Sequence, residues 1–393
     1  MEKVLVTGIG VISCLGSGTE AFWSGLHARD SAPRPVPDPD ARFANRRLYL
    51  VPADEVPETP APLGGLPVGT ASALAAHSAR LALEDAKLGT VDPARMAVLI
   101  GTAMGDSWLR ERQRAGQLEA EGDWYTEYAV AGVVAELTGA RGAVSTNANA
   151  CAASGYAIGV AADMIACGEA DVVLVGGSET YSRVAIGNFN RLGALDPVRC
   201  RPFDGTRRGT VLGEGAGMLV LESRSHAQRR GARGYAEIAA TGWSCDAHHM
   251  TAPEPGGEQI ALAMRRALSG ANVSSQDVSC VVPHGTGTEL NDRVEYEALA
   301  AVFGPRAETV PLHNLKATIG HTAGAAGALA VCAAALIADR GVVPPNRPLE
   351  RADPSCPVRL PQSPEEFTGT YLLANAYAFG GNNVSVLVKA VDR

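Results

Sequence analysis

The sequence predicts an α/β fold in which two similar halves share one layered core, and three observations carry that expectation. Short, continuous apolar runs recur at Val4–Val11, Met96–Ile100, Val172–Val175, Met218–Leu221, Val278–Val282 and Val384–Lys389, as expected of strands buried on both faces. Helical patterns stand between them at Ser72–Ala86, Tyr125–Leu137, Ala152–Cys167, Ile260–Leu268 and Asp292–Val302, and that alternation points to helices layered on sheets. The third observation is an internal echo. A small-residue helix follows a reactive side chain twice, with Cys151 before Ala152–Cys167 and His321 before Thr322–Ile337. A glycine-rich turn also enters an apolar strand twice, at Gly213–Leu221 and Gly380–Val388.

At 393 residues the chain exceeds one average domain and can bury a sizeable core. Charged and polar residues interrupt the apolar pattern between Ser223 and Gly234, which divides the halves into residues 1–230 and 231–393. Prolines cluster at Pro33–Pro67 and Pro344–Pro364, marking surface excursions from the core. Hydrophobic residues make up 46% and charged residues 19%, a compact globular composition rather than a disordered one. A net charge of −8 and a pI near 5.6 argue against a nucleic-acid partner, because a phosphate-binding face needs clustered Lys and Arg. Arg199, Arg201, Arg207 and Arg208 remain candidates for a local basic patch facing an acidic protein, or for plain solvated surface.

Eight cysteines without a CxxC pair fit a reducing, cytoplasmic setting. Met1–Leu15 is broken by Gly8 and Gly10 and lacks the apolar stretch of a secretion signal. The most apolar segment, Ala323–Ala338, is short and dominated by Ala and Gly, so a buried core helix is expected and no membrane insertion.

Cys151 lies in Asn149-Ala150-Cys151-Ala152-Ala153-Ser154-Gly155, directly before a long small-residue helix. A helix N-terminus favours thiolate over thiol. A lone cysteine is more often a small core hydrophobe, and context has to overturn that reading. Pro283-His284-Gly285-Thr286-Gly287-Thr288 follows a predicted strand, so His284 stands at a strand end, where a side chain can face a site. Asn314-Leu315-Lys316-Ala317-Thr318-Ile319-Gly320-His321 places His321 before the second small-residue helix. One histidine in either place would usually be structural. With Cys151, the two make a nucleophile with two imidazoles.

Three rival chemistries weigh less. Gly8-Ile9-Gly10 after a strand hints at a nicotinamide cofactor, but the third glycine position of that fingerprint holds Ser13. Cys245, His248 and His249 hint at a metal, but adjacent histidines diverge on most backbones and no fourth ligand is near, so no metal is expected. A hydrolase would use Cys151 to form an acyl-enzyme that water then releases.

Taken in order, the motifs resemble the β-ketoacyl synthases, particularly the elongating ketosynthases of dissociated fatty-acid and polyketide systems. The resemblance includes Val6-Thr7-Gly8-Ile9-Gly10, the Cys151 segment, Arg201-Pro202-Phe203-Asp204 and Gly213-Glu214-Gly215-Ala216-Gly217. It continues through Asp246–Pro253, the His284 and His321 segments, and Asn375–Asn382. It implies a thiolase-like α/β fold of duplicated βαβαβαββ halves in a five-layer αβαβα arrangement. It implies Cys151 as nucleophile, His284 and His321 as hydrogen-bond donors to an enolate, and an oxyanion hole at the backbone N–H groups of Cys151 and Phe379, with Gly380 beside it. It implies that Lys316 organises the site by pairing with Glu295, and that Thr286 and Thr288 bind the pantetheine arm.

The implied reaction is decarboxylative condensation of an acyl thioester with malonyl carrier protein, in polyketide or fatty-acid synthesis. No cofactor is expected beyond the phosphopantetheine arm of an acyl carrier protein. The implied assembly is a homodimer, or a heterodimer with a homologous chain-length-factor subunit. Noncatalytic partner subunits of that kind typically lack the cysteine, which is present here. Asn149 stands where Thr is common, Arg208 replaces Asp and Thr210 replaces Phe in an Arg-Asp-Gly-Phe stretch, and Ala376-Tyr377-Ala378 differs from Ser-Phe-Gly. The resemblance implies that all of these fall near the acyl pocket.

Overall fold

The computed structural model describes residues 2–64, 67–119 and 127–391, so the first two residues of the helix expected at Tyr125–Leu137 lie outside the described residues. In the first half, strands β1 (Val4–Ser13), β2 (Met96–Gly101), β3 (Val144–Asn147), β4 (Val172–Glu179) and β5 (Gly215–Ser223) alternate with helices. Those helices are α1 (Thr70–Ala86), α2 (Tyr128–Thr138), α3 (Ala153–Ala166) and α4 (Arg183–Arg191). The second half has β6 (Ala236–Cys245), β7 (Val278–Val282), β8 (Tyr371–Tyr377) and β9 (Asn382–Ala390), with α5 (Glu258–Gly270), α6 (Glu289–Phe303) and α7 (Ala326–Arg340).

Strand order exposes the duplication. The first half runs β3-β2-β4-β5-β1, with β3, β2 and β4 mutually parallel and the next two pairings antiparallel. In the second half, Leu312 bridges β7 in parallel, β7 pairs β8 in parallel, and β8–β9 and β9–β6 are antiparallel. Order and sense repeat. The halves join where β1 pairs with β6, from Val4 opposite Ile238 to Val6 opposite Ala236.

Helices α3 and α7 lie between the halves and touch strands of both, while α1 and α2 cover the first sheet's outer face and α5 and α6 the second's. These are five alternating layers, as the resemblance implies. The span Ala323–Arg340 has the length and apolarity to cross a membrane, yet 83% of it is buried inside the fold. Its Ala and Gly content serves close packing between two sheets.

The glycines of β1 have the same role. A Cβ on Gly10 would lie 1.9 Å from the Ser78 carbonyl oxygen of α1, and one on Gly8 would lie 2.2 Å from that of Ala82. The strand continues to Ser13 with no phosphate-binding turn, which removes the basis for the dinucleotide reading.

At the end of β2, a Cβ on Gly101 would lie 2.1 Å from the Ser154 nitrogen of α3, whereas a Cβ on Gly89 would enter open space. Gly101→Ala is therefore expected to lose about 1–3 kcal/mol or more through overpacking, and Gly89→Ala to stay near wild type. Chemical denaturation measures both. Wild-type stability in Gly101→Ala would contradict this close packing.

Candidate active site

Cys151 sits in a single 3₁₀ turn, Ala150–Ala152, that feeds α3, and only 7% of the residue is exposed. Ala150 adopts φ 48°, a left-handed conformation that alanine avoids. The turn Ala323–Ala325 before α7 is its counterpart, with Ala323 at φ 39°. Both small-residue helices thus begin with the same tight turn.

His321 is positioned by the chain before its turn: its N–H donates to the Val211 carbonyl (2.8 Å), and its own carbonyl accepts from Gly213 N–H (3.0 Å). Its Nε2 lies 3.0 Å from Cys151 Sγ. Burial pushes the Cys151 thiol up to about 12, while the Lys316 ammonium and the N–H groups of Cys151 and Phe379 pull it down. Burial wins. Cys151 rests as a thiol, in place of the thiolate expected from the helix N-terminus: desolvation of a charge outweighs the helix end here.

His284 follows β7 and presents its ring to the same cleft. Glu295 of α6, wholly buried, accepts 2.7 Å hydrogen bonds from the backbone N–H of His284 and of Gly285. Lys316 Nζ donates to the His284 carbonyl and lies 3.4 Å from its Nδ1. The expected Lys316–Glu295 ion pair is absent from the ion pairs of the described residues. Both groups instead hold the His284 peptide, which gives each a hydrogen-bonded partner, and the Glu295 charge still favours the Lys316 ammonium. Burial lowers the Lys316 ammonium and pushes Glu295 up to about 7, as expected for desolvated charges.

Burial, reinforced by the Lys316 charge, holds both histidines well below the usual imidazole range. They are neutral. An ammonium only donates, so His284 Nδ1 accepts and the ring proton sits on Nε2. The two rings stand 5.4 Å apart and nearly perpendicular, at 85°. His321 Nδ1 is buried and has no partner among the described residues.

The cleft measures about 420 Å³ and is lined by Cys151, His284, His321, Thr286, Thr288 and Phe379, among others. Gly380 and Gly381 turn the chain beyond Phe379 at φ 85° and 78°, a conformation glycine adopts readily. The Phe379 ring stacks on Phe189 of α4 at 5.4 Å and 19°, and Phe189 meets His321 edge-on at 6.5 Å. Sequence reading missed Phe189, whose only signal is one aromatic residue in a short polar helix. The Thr286 and Thr288 hydroxyls lie 2.9 Å apart at the cleft wall, and the Thr286 and Gly287 N–H groups donate to the buried Asp292.

The four arginines divide. Arg199 and Arg201 pair with Glu350, Arg201 also with Asp196, and Arg207 with Asp353 and Asp292. Arg208 alone stays exposed and unneutralised among the described ion pairs, at the rim of the cleft that buried Thr210 also lines. The basic patch narrows to one residue. Near the same rim, His249 Nδ1 accepts from the N–H groups of Thr251 and Ala252, each at 3.1 Å, and Cys245 Sγ lies 3.7 Å from the Gly380 carbonyl. Among the described residues no group of three or more His, Cys, Asp or Glu could hold a metal ion.

The family model for the beta-ketoacyl synthase N-terminal domain matches residues 1–227, and that for the C-terminal domain matches 235–350. The tetracenomycin polyketide synthase ketoacyl synthase alpha subunit of Streptomyces glaucescens is 35% identical, covering 97% of this chain and 95% of the relative. Nodulation protein E of Rhizobium meliloti strain 1021 is 34% identical, covering 99% and 100%. Among solved structures, the ishigamide ketosynthase/chain length factor matches with a TM-score of 0.91 at 34% identity, over 100% of both chains. AntDE:AntF, a type II polyketide synthase acyl-carrier protein in complex with its ketosynthase bound to the hexaketide, matches at 0.88 and 29%, again over 100% of both.

Because Lys316 lowers the Cys151 thiol, Lys316→Met is expected to slow alkylation of Cys151 severalfold at pH 8. Iodoacetamide labelling followed by mass spectrometry measures the rate. An unchanged or faster rate would show that the ammonium does not act on the sulfur.

Proposed function

Because the chain belongs to the beta-ketoacyl synthase family, we propose that it extends acyl chains by decarboxylative Claisen condensation in type II polyketide assembly. The observation that carries this reading is the convergence of Cys151 Sγ, His321 Nε2 at 3.0 Å and the neutral His284 ring on one cleft. The residues derive from distant segments. A thiol and two neutral imidazoles are what acyl transfer followed by enolate formation requires.

In the first half-reaction Cys151 sulfur bonds to the carbonyl carbon of an acyl thioester. His321 takes the thiol proton, and the pantetheine thiol leaves carrying it. That general-base step answers the protonated resting state, since a buried thiol has to lose its proton as it attacks. In the second, the bond between C2 and the carboxylate of a malonyl thioester breaks and releases CO2. Its electron pair becomes an enolate, whose oxygen accepts hydrogen bonds from Nε2–H of His284 and, once the ring proton of His321 has moved from Nδ1 to Nε2, from Nε2–H of His321. The C2 carbanion then bonds to the acyl-Cys151 carbonyl, the N–H groups of Cys151 and Phe379 hold the resulting oxyanion, and collapse expels the Cys151 thiolate, which takes a proton from water. Each oxyanion donor of this kind contributes about 3–4 kcal/mol in a dry site. Lys316 and Glu295 hold His284 in place rather than touching substrate.

An acyl carrier protein would deliver both thioesters on its phosphopantetheine arm, with Thr286 and Thr288 along its path and no further cofactor. The carrier-bound ketosynthase of AntDE:AntF and the ishigamide ketosynthase/chain length factor support a carrier partner and a homologous second subunit. Cys151, His284, Lys316 and His321 are all present, which favours a catalytic chain over a noncatalytic partner subunit. All eight cysteines are free, which supports a reducing cytoplasm.

The two half-reactions separate by mutation. His284→Ala is expected to load an acyl group on Cys151 near the wild-type rate and to lose about 10²-fold or more in condensation, whereas Cys151→Ala should not be acylated at all. Intact-protein mass spectrometry after incubation with acyl carrier protein, followed by a product assay, reads both. Acylation persisting in Cys151→Ala would sink the assignment of the nucleophile.

A further inference from the structure

Behind the nucleophile lies a buried acid that the reaction as described does not use. Glu179 ends β4 with only 3% of its surface exposed. One carboxylate oxygen accepts from the N–H groups of Ala103 (2.7 Å) and Gly324 (2.9 Å). The other accepts from Met104 N–H (3.1 Å) and the Thr102 hydroxyl (3.4 Å). Three of these four donors belong to the loop after β2, in the first half; Gly324 belongs to the turn after His321, in the second. The two segments touch closely enough that a Cβ on Gly324 would lie 2.4 Å from the Ala103 nitrogen.

From this geometry we propose that Glu179 is a positioning residue for the condensation: it pins the turn following His321 to the first half, and so holds the imidazole over Cys151. Resting on the reaction proposed above, the inference adds a residue to it. The need for such a clamp is visible in the backbone. Ala323 is held at φ 39° between His321 and Gly324, a conformation that costs about 1–3 kcal/mol and persists only when the surroundings enforce it. His321 N–H and C=O are fixed from the other direction by Val211 and Gly213. Glu179 supplies the restraint on the C-terminal side. An apolar side chain in its place would leave the N–H groups of Ala103, Met104 and Gly324 without this acceptor, and an amide would keep only one of the two accepting oxygens.

The carboxylate also acts on the sulfur through space, raising the Cys151 thiol further. Burial pushes Glu179 itself up to about 7, so it is ionised across the alkaline range where the thiol titrates. This provides a readout that a purely structural side chain would not move.

The test is Glu179→Gln, of the same shape but without the charge and with one acceptor fewer. It should fold, lose at least about tenfold in condensation, as expected when a catalytic group is misplaced, and shift the pH midpoint of Cys151 alkylation downward. Turnover and an alkylation profile both equal to wild type would overturn the proposal. A loss of turnover with no downward shift would do so as well, since it would reduce Glu179 to general stability. Should Glu179→Gln fail to fold, Glu179→Asp takes its place in the same assays, with lower turnover expected and the thiol titration kept high; wild-type turnover in Glu179→Asp would again overturn the proposal. Alkylation needs no acyl substrate, so a downward shift in a protein whose wild type does not condense would count against the proposed reaction and not against Glu179.

Discussion

The chemistry depends on how closely two helices approach at the seam between the halves. Helices α3 and α7 cross between the sheets at Gly155 and Gly327, where a Cβ on Gly327 would lie 2.7 Å from the Gly155 nitrogen. Ser154 adds a polar stitch, its hydroxyl accepting from Ala328 N–H at 2.9 Å. Larger residues would separate the helices. Because each helix starts with a tight turn next to a reactive side chain, their separation sets the distance from Cys151 to His321. The alanine-rich composition of both helices is thus a requirement of the site as much as of the core.

That same burial determines protonation. A dry seam makes every charge costly, and the protein responds by keeping Cys151 a thiol and both histidines neutral, with Lys316 as the buried cation of the site. Neutral imidazoles suit the proposed role, since each keeps one ring N–H to donate to an enolate. Lys316 and Glu295 are anchored on one peptide, that of His284, so their charges meet hydrogen-bonding partners instead of water. Removing one partner of such a set leaves the other buried and unpaired, which is why the arrangement reads as positional rather than stabilising.

Much of this was legible in the sequence, and the reasons for the gaps are physical. The runs at Val4, Met96, Val172 and Val278 became strands because both of their faces are covered, and burial is what an apolar run reports. Strand β3, Val-Ser-Thr-Asn, was invisible because it sits at the sheet edge, half exposed, with no apolar pattern. β6 carries Glu237, Thr241, Gly242 and Trp243 and does not alternate cleanly. Cys151, His284 and His321 could be found because the family motifs carry them. The thiol state of Cys151 and the real partners of Lys316 could not, because both depend on the depth of burial and on backbone groups that no residue letter records. Phe189 and Glu179 stayed hidden for the same reason: each acts through a neighbour far away in the chain.

The most direct test is a single turnover with Cys151 acylated beforehand and malonyl carrier protein then added, counting CO2 against carbon-carbon bonds formed. One CO2 released for each acyl group lengthened by two carbons is the predicted result. Release of the acyl group as free acid, with no CO2, would contradict the account and leave a hydrolase in its place.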